Sequence, residues 1–239
     1  SSPVQVGTLT NWAEVSVGRG NVLAVKTDGT LWSWGLAIYG GLGLGDTTAR
    51  SSPVQVGALT NWSKVAAISC VGLATKTDGT LWSWGKNNVG QLGQGNTTNT
   101  SSPVQVGTLT NWSKIAGAGS KYTSFGGSYI YGFFSSIKTD GTLWSWGRNN
   151  YGQLGLGDTT SRSSPVQVGA LTTWSKLSIN SDITYQTANN TALIKTDGTL
   201  WIWGSNQTGA WATGTTTAVR RSSPVQVLSG TSGWDWVSV

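Results

Sequence analysis

The acidic residues that could support catalysis in this 239-residue chain recur at one position of a repeated segment. Paired carboxylates can perform acid–base chemistry, but an aspartate followed by glycine is typical of a tight turn. The chain has no histidine, one glutamate (Glu14) and one cysteine (Cys70), which removes most catalytic and metal-ligating combinations. We therefore predict no enzyme activity, no cofactor and no metal site. The four turn pairs are Asp28–Gly29, Asp78–Gly79, Asp140–Gly141 and Asp197–Gly198.

Each of these turns is followed by a pair of tryptophans separated by one residue. Residues at i and i+2 of a strand face the same side, so each pair should present two indole rings together. We predict that the pairs fill the space between packed sheets, since a packing residue must recur in every repeat. An aromatic platform for sugar rings or bases is the alternative. The pairs are Trp32 and Trp34, Trp82 and Trp84, Trp144 and Trp146, and Trp201 and Trp203.

The whole chain is built from repeats of roughly 50 residues. The segment SSPVQV begins at residues 1, 51, 101, 163 and 222, and KTDG lies between successive copies. One unit contains an alternating strand such as WSKVAAI, a hairpin around Asp-Gly, a glycine-rich loop and a short strand begun by proline. Four short strands per unit without a helix predict an all-β protein whose units are β-propeller blades.

The pattern GTLWSWGxNxxGQLGxGDTT followed by SSPVQV resembles the regulator of chromosome condensation repeat. The resemblance implies that the W…V strand is innermost and PVQV outermost in each blade. Four complete blades are then expected at about 12–57, 62–107, 112–169 and 174–227, with partial-blade strands at 1–6 and 234–239. The ring is either open or completed by missing sequence or by a partner. The residues that carry the resemblance include Gly85, Asn87, Gly90, Gln91, Leu92 and Gly93, and their counterparts Gly147, Asn149, Gly152, Gln153, Leu154 and Gly155.

Departures from the repeat are the expected location of function, because insertions in repeat proteins lie in loops on one face. The third and fourth units are lengthened between their first and second strands, and the loops between third and fourth strands should share that face. Tyrosine, arginine and amide residues there are typical of recognition surfaces. An extra hairpin that only packs on the propeller is the alternative. The candidate binding residues are Tyr122, Phe125, Tyr129, Tyr131, Phe133, Phe134, Tyr185, Arg148, Tyr151 and Trp211.

Charge and composition limit the classes of partner that we expect. The net charge of +6 is distributed by repetition rather than concentrated, which disfavours nucleic acid, and no apolar run is long enough to span a membrane. We predict a non-enzymatic binding or structural module that contacts a protein or carbohydrate through one face, with self-assembly through open sheet edges as a further possibility. The composition favours an extracellular, cell-surface or virion setting. Guanine-nucleotide exchange or enzyme inhibition, implied by the family resemblance, is the alternative function.

Overall fold

The computed structural model of the chain describes residues 10–124, 127–181, 189–205 and 220–227, together with Ser2, Gln5, Gly7 and Thr8. For 120–124, 127–130, 180, 181 and 189 it describes the backbone alone. These residues form four antiparallel sheets of four strands, each in sequential order. The predicted all-β propeller architecture is confirmed. The described part contains no α-helix, only one short 3₁₀ turn at Ile38–Gly40, and no described helix is long and apolar enough to cross a membrane.

Each sheet is one blade, with its strands numbered from the inside of the ring outwards. The first contains β1 (Trp12–Val17), β2 (Asn21–Lys26), β3 (Leu31–Gly35) and β4 (Arg50–Gln55). The second contains β5 (Trp62–Ile68), β6 (Val71–Lys76), β7 (Leu81–Gly85) and β8 (Thr100–Gln105). The third contains β9 (Trp112–Ser124), β10 (Gly127–Lys138), β11 (Leu143–Gly147) and β12 (Arg162–Gln167). The fourth contains β13 (Trp174–Ser181), β14 (Asn189–Lys195), β15 (Leu200–Ser205) and β16 (Arg220–Gln226).

The innermost strands β1, β5, β9 and β13 contact one another in sequence order and line a central channel. The domain extents given above remain proposals. Of the partial-blade strands expected at the ends, 234–239 lie outside the described residues, and only Ser2 and Gln5 of 1–6 lie within them.

The Asp-Gly pairs form the turns between the second and third strands of each blade. In the second blade, the Asp78 carboxylate accepts hydrogen bonds from the backbone N–H of Thr80 at 2.9 Å and from its hydroxyl at 2.6 Å. The Thr80 hydroxyl oxygen accepts a hydrogen bond from the indole Nε1 of Trp82 at 2.9 Å. Gly79 has a φ of 76°, which glycine adopts without strain. The side chain that makes the turn therefore also orients the first tryptophan of the pair.

A cluster of three tryptophans and one lysine recurs in every blade. In the second blade, Trp62 contacts Trp82 and Trp84 with ring centroids 5.9 and 6.4 Å apart. The Lys76 ammonium lies 3.8 Å from the Trp82 ring centroid and 5.0 Å from that of Trp62, so it makes a cation–π contact. Lys26, Lys76 and Lys138 are buried, so these repeated lysines are part of the packing of the blades rather than solvated surface charges.

Adjacent blades pack through their tryptophans. Trp84 is fully buried against Leu23, Val25 and Leu31 of the preceding blade, and its indole Nε1 donates to the Gly41 carbonyl oxygen at 3.2 Å. Trp146 donates in the same way to Gln91, at 3.1 Å. The glycine-rich loop of each blade thus supplies the acceptor for the next blade, which fixes the spacing of the blades around the axis.

Candidate protein-binding face

A buried amide network holds the loop between β11 and β12 in the third blade. The Asn149 side-chain amide donates to the carbonyl oxygens of Asp158 and Thr160 at 3.0 and 3.1 Å, and its oxygen accepts from the Leu154 N–H at 2.9 Å. The Gln153 side-chain oxygen accepts from the Tyr151 N–H at 2.9 Å. Asn149 and Gln153 are both fully buried, so this loop presents Tyr151 from a fixed backbone.

The same loop docks on the fourth blade. The Gly157 N–H donates to the Ser222 carbonyl oxygen at 2.7 Å, and Gly152 packs so closely against Ser222 that an added Cβ would lie 2.6 Å from its Cα. Gly152 also has a φ of 76°. Close approach and positive φ both require glycine here, and the contact brings Tyr151 against β16.

Two tyrosines and two arginines alternate across the junction of the third and fourth blades. The guanidinium carbon of Arg148 lies 4.1 Å from the ring centroid of Tyr131, on β10, and 5.5 Å from that of Tyr151. The guanidinium carbon of Arg220, on β16, lies 4.5 Å from the Tyr151 centroid. Cation–π contacts of this kind order long side chains that would otherwise be mobile. We call Tyr131, Arg148, Tyr151 and Arg220 the arginine–tyrosine stack.

Arg148 is the buried centre of the stack. Only 7% of its surface is exposed, and this burial lowers the pKa of its guanidinium from the ordinary value, opposed by the neighbouring Tyr151 and Tyr131. An arginine stays protonated even so. A buried, charged side chain between two rings is held in one orientation, whereas Arg220 at the end of the stack is exposed.

A second cation–tyrosine pair lies on the same face, between the first and second blades. The Lys86 ammonium lies 3.8 Å from the Tyr39 ring centroid. The sequence prediction did not include either residue. Superposing the repeats could have identified both residues. Tyr39 occupies the position in its unit that Tyr151 occupies in the third, and Lys86 directly follows the third strand of its blade, as Arg148 does. We call the arginine–tyrosine stack together with Lys86 and Tyr39 the insertion face.

The insertion of the third unit is an extended hairpin. β9 and β10 remain paired from Trp112 opposite Lys138 out to Ser124 opposite Gly127. Tyr129 pairs with Tyr122 in this register, and Tyr131 with Ser120. The backbone therefore has the form of the extra hairpin that was weighed as the alternative to a binding loop, while its base contributes Tyr131 to the stack.

The prediction that Phe133 and Phe134 belong to the binding surface is wrong. Both side chains are buried, and Phe134 stacks on Trp146 with ring centroids 5.9 Å apart. Two adjacent residues of one strand point to opposite faces of the sheet, and both faces of this blade are covered by its neighbours. Tyr131, Arg148 and Tyr151 are brought together as described. Phe125, Tyr185 and Trp211 lie outside the described residues.

No group of three or more histidine, cysteine, aspartate or glutamate side chains able to hold a metal ion occurs in the part of the chain that the structure describes.

The family model for the regulator of chromosome condensation (RCC1) repeat matches residues 28–71, 78–125 and 140–183. Two similar curated proteins are an RCC2 homologue of Danio rerio and RCC2 of Mus musculus. The first is 34% identical over 84 residues, 34% of this chain and 15% of the relative. The second is 37% identical over 93 residues, 38% of this chain and 16% of the relative. The chain therefore matches only a small part of these relatives' length.

Solved structures show the same fold. Prp20p from Saccharomyces cerevisiae superposes with a TM-score of 0.77 at 18% identity, over 96% of this chain and 53% of that one. Human WBSCR16 superposes with a TM-score of 0.70 at 22% identity, over 94% and 55% of the two chains. This chain thus spans about half of each of these propellers.

The relatives contradict the predicted extracellular, cell-surface or virion setting, because they are RCC2 proteins. The composition that suggested that setting has another physical origin. A chain copied from one unit of roughly 50 residues inherits the composition of that unit, so the absence of histidine and methionine reflects the repeat rather than a compartment.

Proposed function

Because the chain belongs to the regulator of chromosome condensation repeat family, we propose that it is a non-enzymatic module that binds a protein partner on its insertion face. The arginine–tyrosine stack is the observation that carries this proposal. Tyrosine and arginine are the residues most often found at the energetic centre of protein interfaces.

The order of the stack supports binding more than its composition alone. Arg148 is held between Tyr131 and Tyr151, and the Tyr151 loop is fixed by Asn149 and Gln153. A surface that is already ordered loses little conformational entropy when a partner docks, so more of the contact energy contributes to affinity.

The charge of the face indicates the chemistry of the contacted surface. Lys86, Arg148 and Arg220 place three cations next to aromatic rings on this side of the propeller. We therefore expect the part of the partner that docks here to be acidic. Prp20p, the structural neighbour, was studied for its binding to Gsp1p and histones, and of these two we choose Gsp1p as the first probe because histones are basic.

Charge reversal at neighbouring positions of β16 tests the proposal. Arg220 contacts Tyr151, whereas Arg221 is exposed on the opposite side of the same strand by alternation, so Arg221→Glu is a matched control. Binding of Gsp1p to the wild-type chain and to each variant is measured by biolayer interferometry. We expect Arg220→Glu to weaken binding at least tenfold, since it places a carboxylate where an acidic surface docks, and Arg221→Glu to change it by less than about threefold.

Circular dichroism of both variants establishes that the propeller is intact. Equal losses in the two variants, or no binding of Gsp1p by the wild type, would contradict the proposal. Guanine-nucleotide exchange remains the alternative, and release of labelled GDP from a small GTPase distinguishes it from simple binding.

A further inference from the structure

The innermost strands carry a second repeated feature, which is separate from the insertion face. Two residues after the first tryptophan of each blade stand Glu14, Lys64, Lys114 and Lys176. In every blade the pairing register shifts at this point, between the tryptophan and the residue two places on. A bulge of this kind re-aims the side chain that follows it.

These four side chains line one cavity of about 400 Å³ in the central channel. The other lining residues in the described part of the chain are neutral: Val65, Ser113, Ile115 and Leu177. The volume is in the range of small-molecule sites. Four strands from four different blades thus contribute to a single concave site, which exists only because the blades are arranged around an axis.

Positive charges outnumber negative ones among the described residues that line this cavity. The Lys64 ammonium forms an ion pair with Glu14, the one carboxylate among the described lining residues. The Lys114 ammonium donates to the Ser175 carbonyl oxygen, an uncharged acceptor that leaves its positive charge uncompensated. The described lining thus carries three lysines and one carboxylate. Because an ammonium has three donors, one hydrogen bond leaves Lys114 able to donate to a ligand as well.

The other end of the channel provides an internal contrast. The cavity there has a volume of about 320 Å³ and is lined mainly by small or apolar residues, with Arg19 as its one charged residue within the described part of the chain. Its lining includes Val17, Gly117, Ala118 and Ile179. A preference for anions would therefore be confined to the end that carries the lysines.

We propose that the lysine end of the channel binds a phosphate-bearing anion with two or more negative charges. Lysine is a frequent phosphate ligand that acts as a point charge, and lysines carried by three separate strands around one cavity suit a multiply charged group better than a single planar carboxylate. The anion is either a free polyphosphate or a phosphorylated side chain of another protein, since both present the same chemistry to the lysines.

Calorimetric titration of the full chain with inorganic triphosphate in 50 mM NaCl tests the proposal. Lys114→Gln and Lys176→Gln should each weaken binding about tenfold, because each removes one attractive charge from a confined site. Glu14→Gln should strengthen binding about fivefold, because it removes the one repulsive charge and releases Lys64. Raising the NaCl concentration to 200 mM should weaken wild-type binding about tenfold through screening.

Arg221→Gln is the control, since it removes one positive charge at the outer edge of the fourth blade and should leave the affinity within about twofold. If it weakens binding as much as Lys114→Gln does, the attraction comes from the net charge of the molecule and the proposal is overturned. Absence of binding both to triphosphate and to a phosphoserine peptide overturns it as well.

The source of the anion is determined with a phosphoserine peptide and its unphosphorylated form. Tighter binding of triphosphate supports a free polyphosphate, and tighter binding of the phosphopeptide, with the same order among the lysine variants, supports a phosphorylated protein. Equal binding of the two peptides would overturn the proposal, because recognition would then not depend on phosphate.

Discussion

Within the described part of the chain no blade covers the tryptophan-bearing face of the first blade, whereas the same face of the other three blades is covered by the blade before it. Trp84, Trp146 and Trp203 are completely buried, but Trp34, at the equivalent position, is only half-buried. On the same face of the first blade, 65% of Val15 and 71% of Val17 are exposed. Four nearly identical sequences therefore have two different environments.

This difference separates the stabilisation that arises within a blade from the stabilisation that arises between neighbouring blades. A tryptophan of the second, third or fourth blade rests on the hydrophobic face of its predecessor and donates to a carbonyl of the preceding glycine-rich loop. Within the described residues no blade precedes the first, so Trp34 lacks that environment. In such arrays stability is close to a sum of the contributions of single units and of the contacts between neighbours. The tryptophan pair contributes mainly to the contacts between neighbouring blades. The predictions below therefore compare the first blade with the second.

Removal of the buried tryptophan should show the largest difference. We expect Trp84→Ala to lower the free energy of unfolding by about 3–5 kcal/mol, as truncation of a fully buried tryptophan leaves a large cavity. Trp34→Ala should cost about half as much, because its ring is partly in water already. Urea unfolding followed by tryptophan fluorescence measures both. Equal losses would mean that the face of the first blade is covered in solution.

The position beneath the tryptophan should show the next largest effect. Gly72 pairs with Trp84 across the strands, and a Cβ on Gly72 would lie 2.2 Å from the indole ring. Gly72→Ala should therefore cost about 1–3 kcal/mol through overpacking, since Trp84 has no space to withdraw. In the first blade Val22 pairs with Trp34 at this position, so an isopropyl group is accommodated there.

The matched variant for that experiment is Val22→Ala, which should cost less than about 1 kcal/mol because Val22 is only half-buried. The thermal midpoints of the two variants give the comparison. An unchanged midpoint for Gly72→Ala would show that Trp84 can move to make room for the added methyl group. The covered blade would then be no more sensitive at this position than the open one.

The sequence was sufficient to predict the parts of the fold that are copied in every unit. The alternating strand at Trp62–Ile68, the Asp78–Gly79 turn and the outer strand that contains Pro53 each follow from local chemistry that recurs in register. The family resemblance supplied the order of the strands. Both sources depend on repetition, which separates the signal of the fold from the variation of single residues.

The sequence did not reveal which face of a strand is covered. Phe133 and Phe134 lie next to a run of tyrosines and were assigned to the surface with them, but a blade between two others buries both of its faces. The burial of Lys76 has a different cause, since its ammonium lies on rings supplied by two other strands of its own blade. Arg220 joins the arginine–tyrosine stack from the next blade, so its contact with Tyr151 depends on the docking of one blade on the other and could not be read from a single unit.

The lysine of the tryptophan cluster should behave alike in the open and the covered blade. Lys26 and Lys76 are similarly buried, and their ammonium groups lie 3.7 and 3.8 Å from the Trp32 and Trp82 centroids. Replacement by methionine keeps the aliphatic stem but removes the cation–π contact, so Lys26→Met and Lys76→Met should each cost about 1 kcal/mol. Burial lowers the pKa of Lys76, and this cost of desolvation offsets part of the attraction. A clearly smaller loss for Lys26→Met in urea unfolding would show that the open face also weakens this cluster.

The smallest expected effect is that of the turn aspartates, and pH is the means to detect it. Hydrogen bonds from the side chain and backbone of Thr80 lower the pKa of Asp78 below 3.8, and Thr30 acts on Asp28 in the same way. A group whose pKa is lowered by folding stabilises the folded state above its ordinary pKa, and that stabilisation is lost as the pH falls through the lower, folded value. Asp28→Asn and Asp78→Asn keep an acceptor for the threonine N–H but cannot titrate. Each variant should therefore unfold with a weaker dependence on pH below about pH 4, its acid midpoint shifted by about a few tenths of a pH unit. The Gly29 and Gly79 carbonyl oxygens accept hydrogen bonds from the N–H groups of Trp62 and Trp112 in the following blade, at 3.0 and 3.1 Å, so the two turns have matching contacts and the two shifts should be equal. A larger shift for Asp78→Asn would mean that the preceding blade also reaches the turn, and the contrast between the open and the covered blade would then extend beyond the tryptophans.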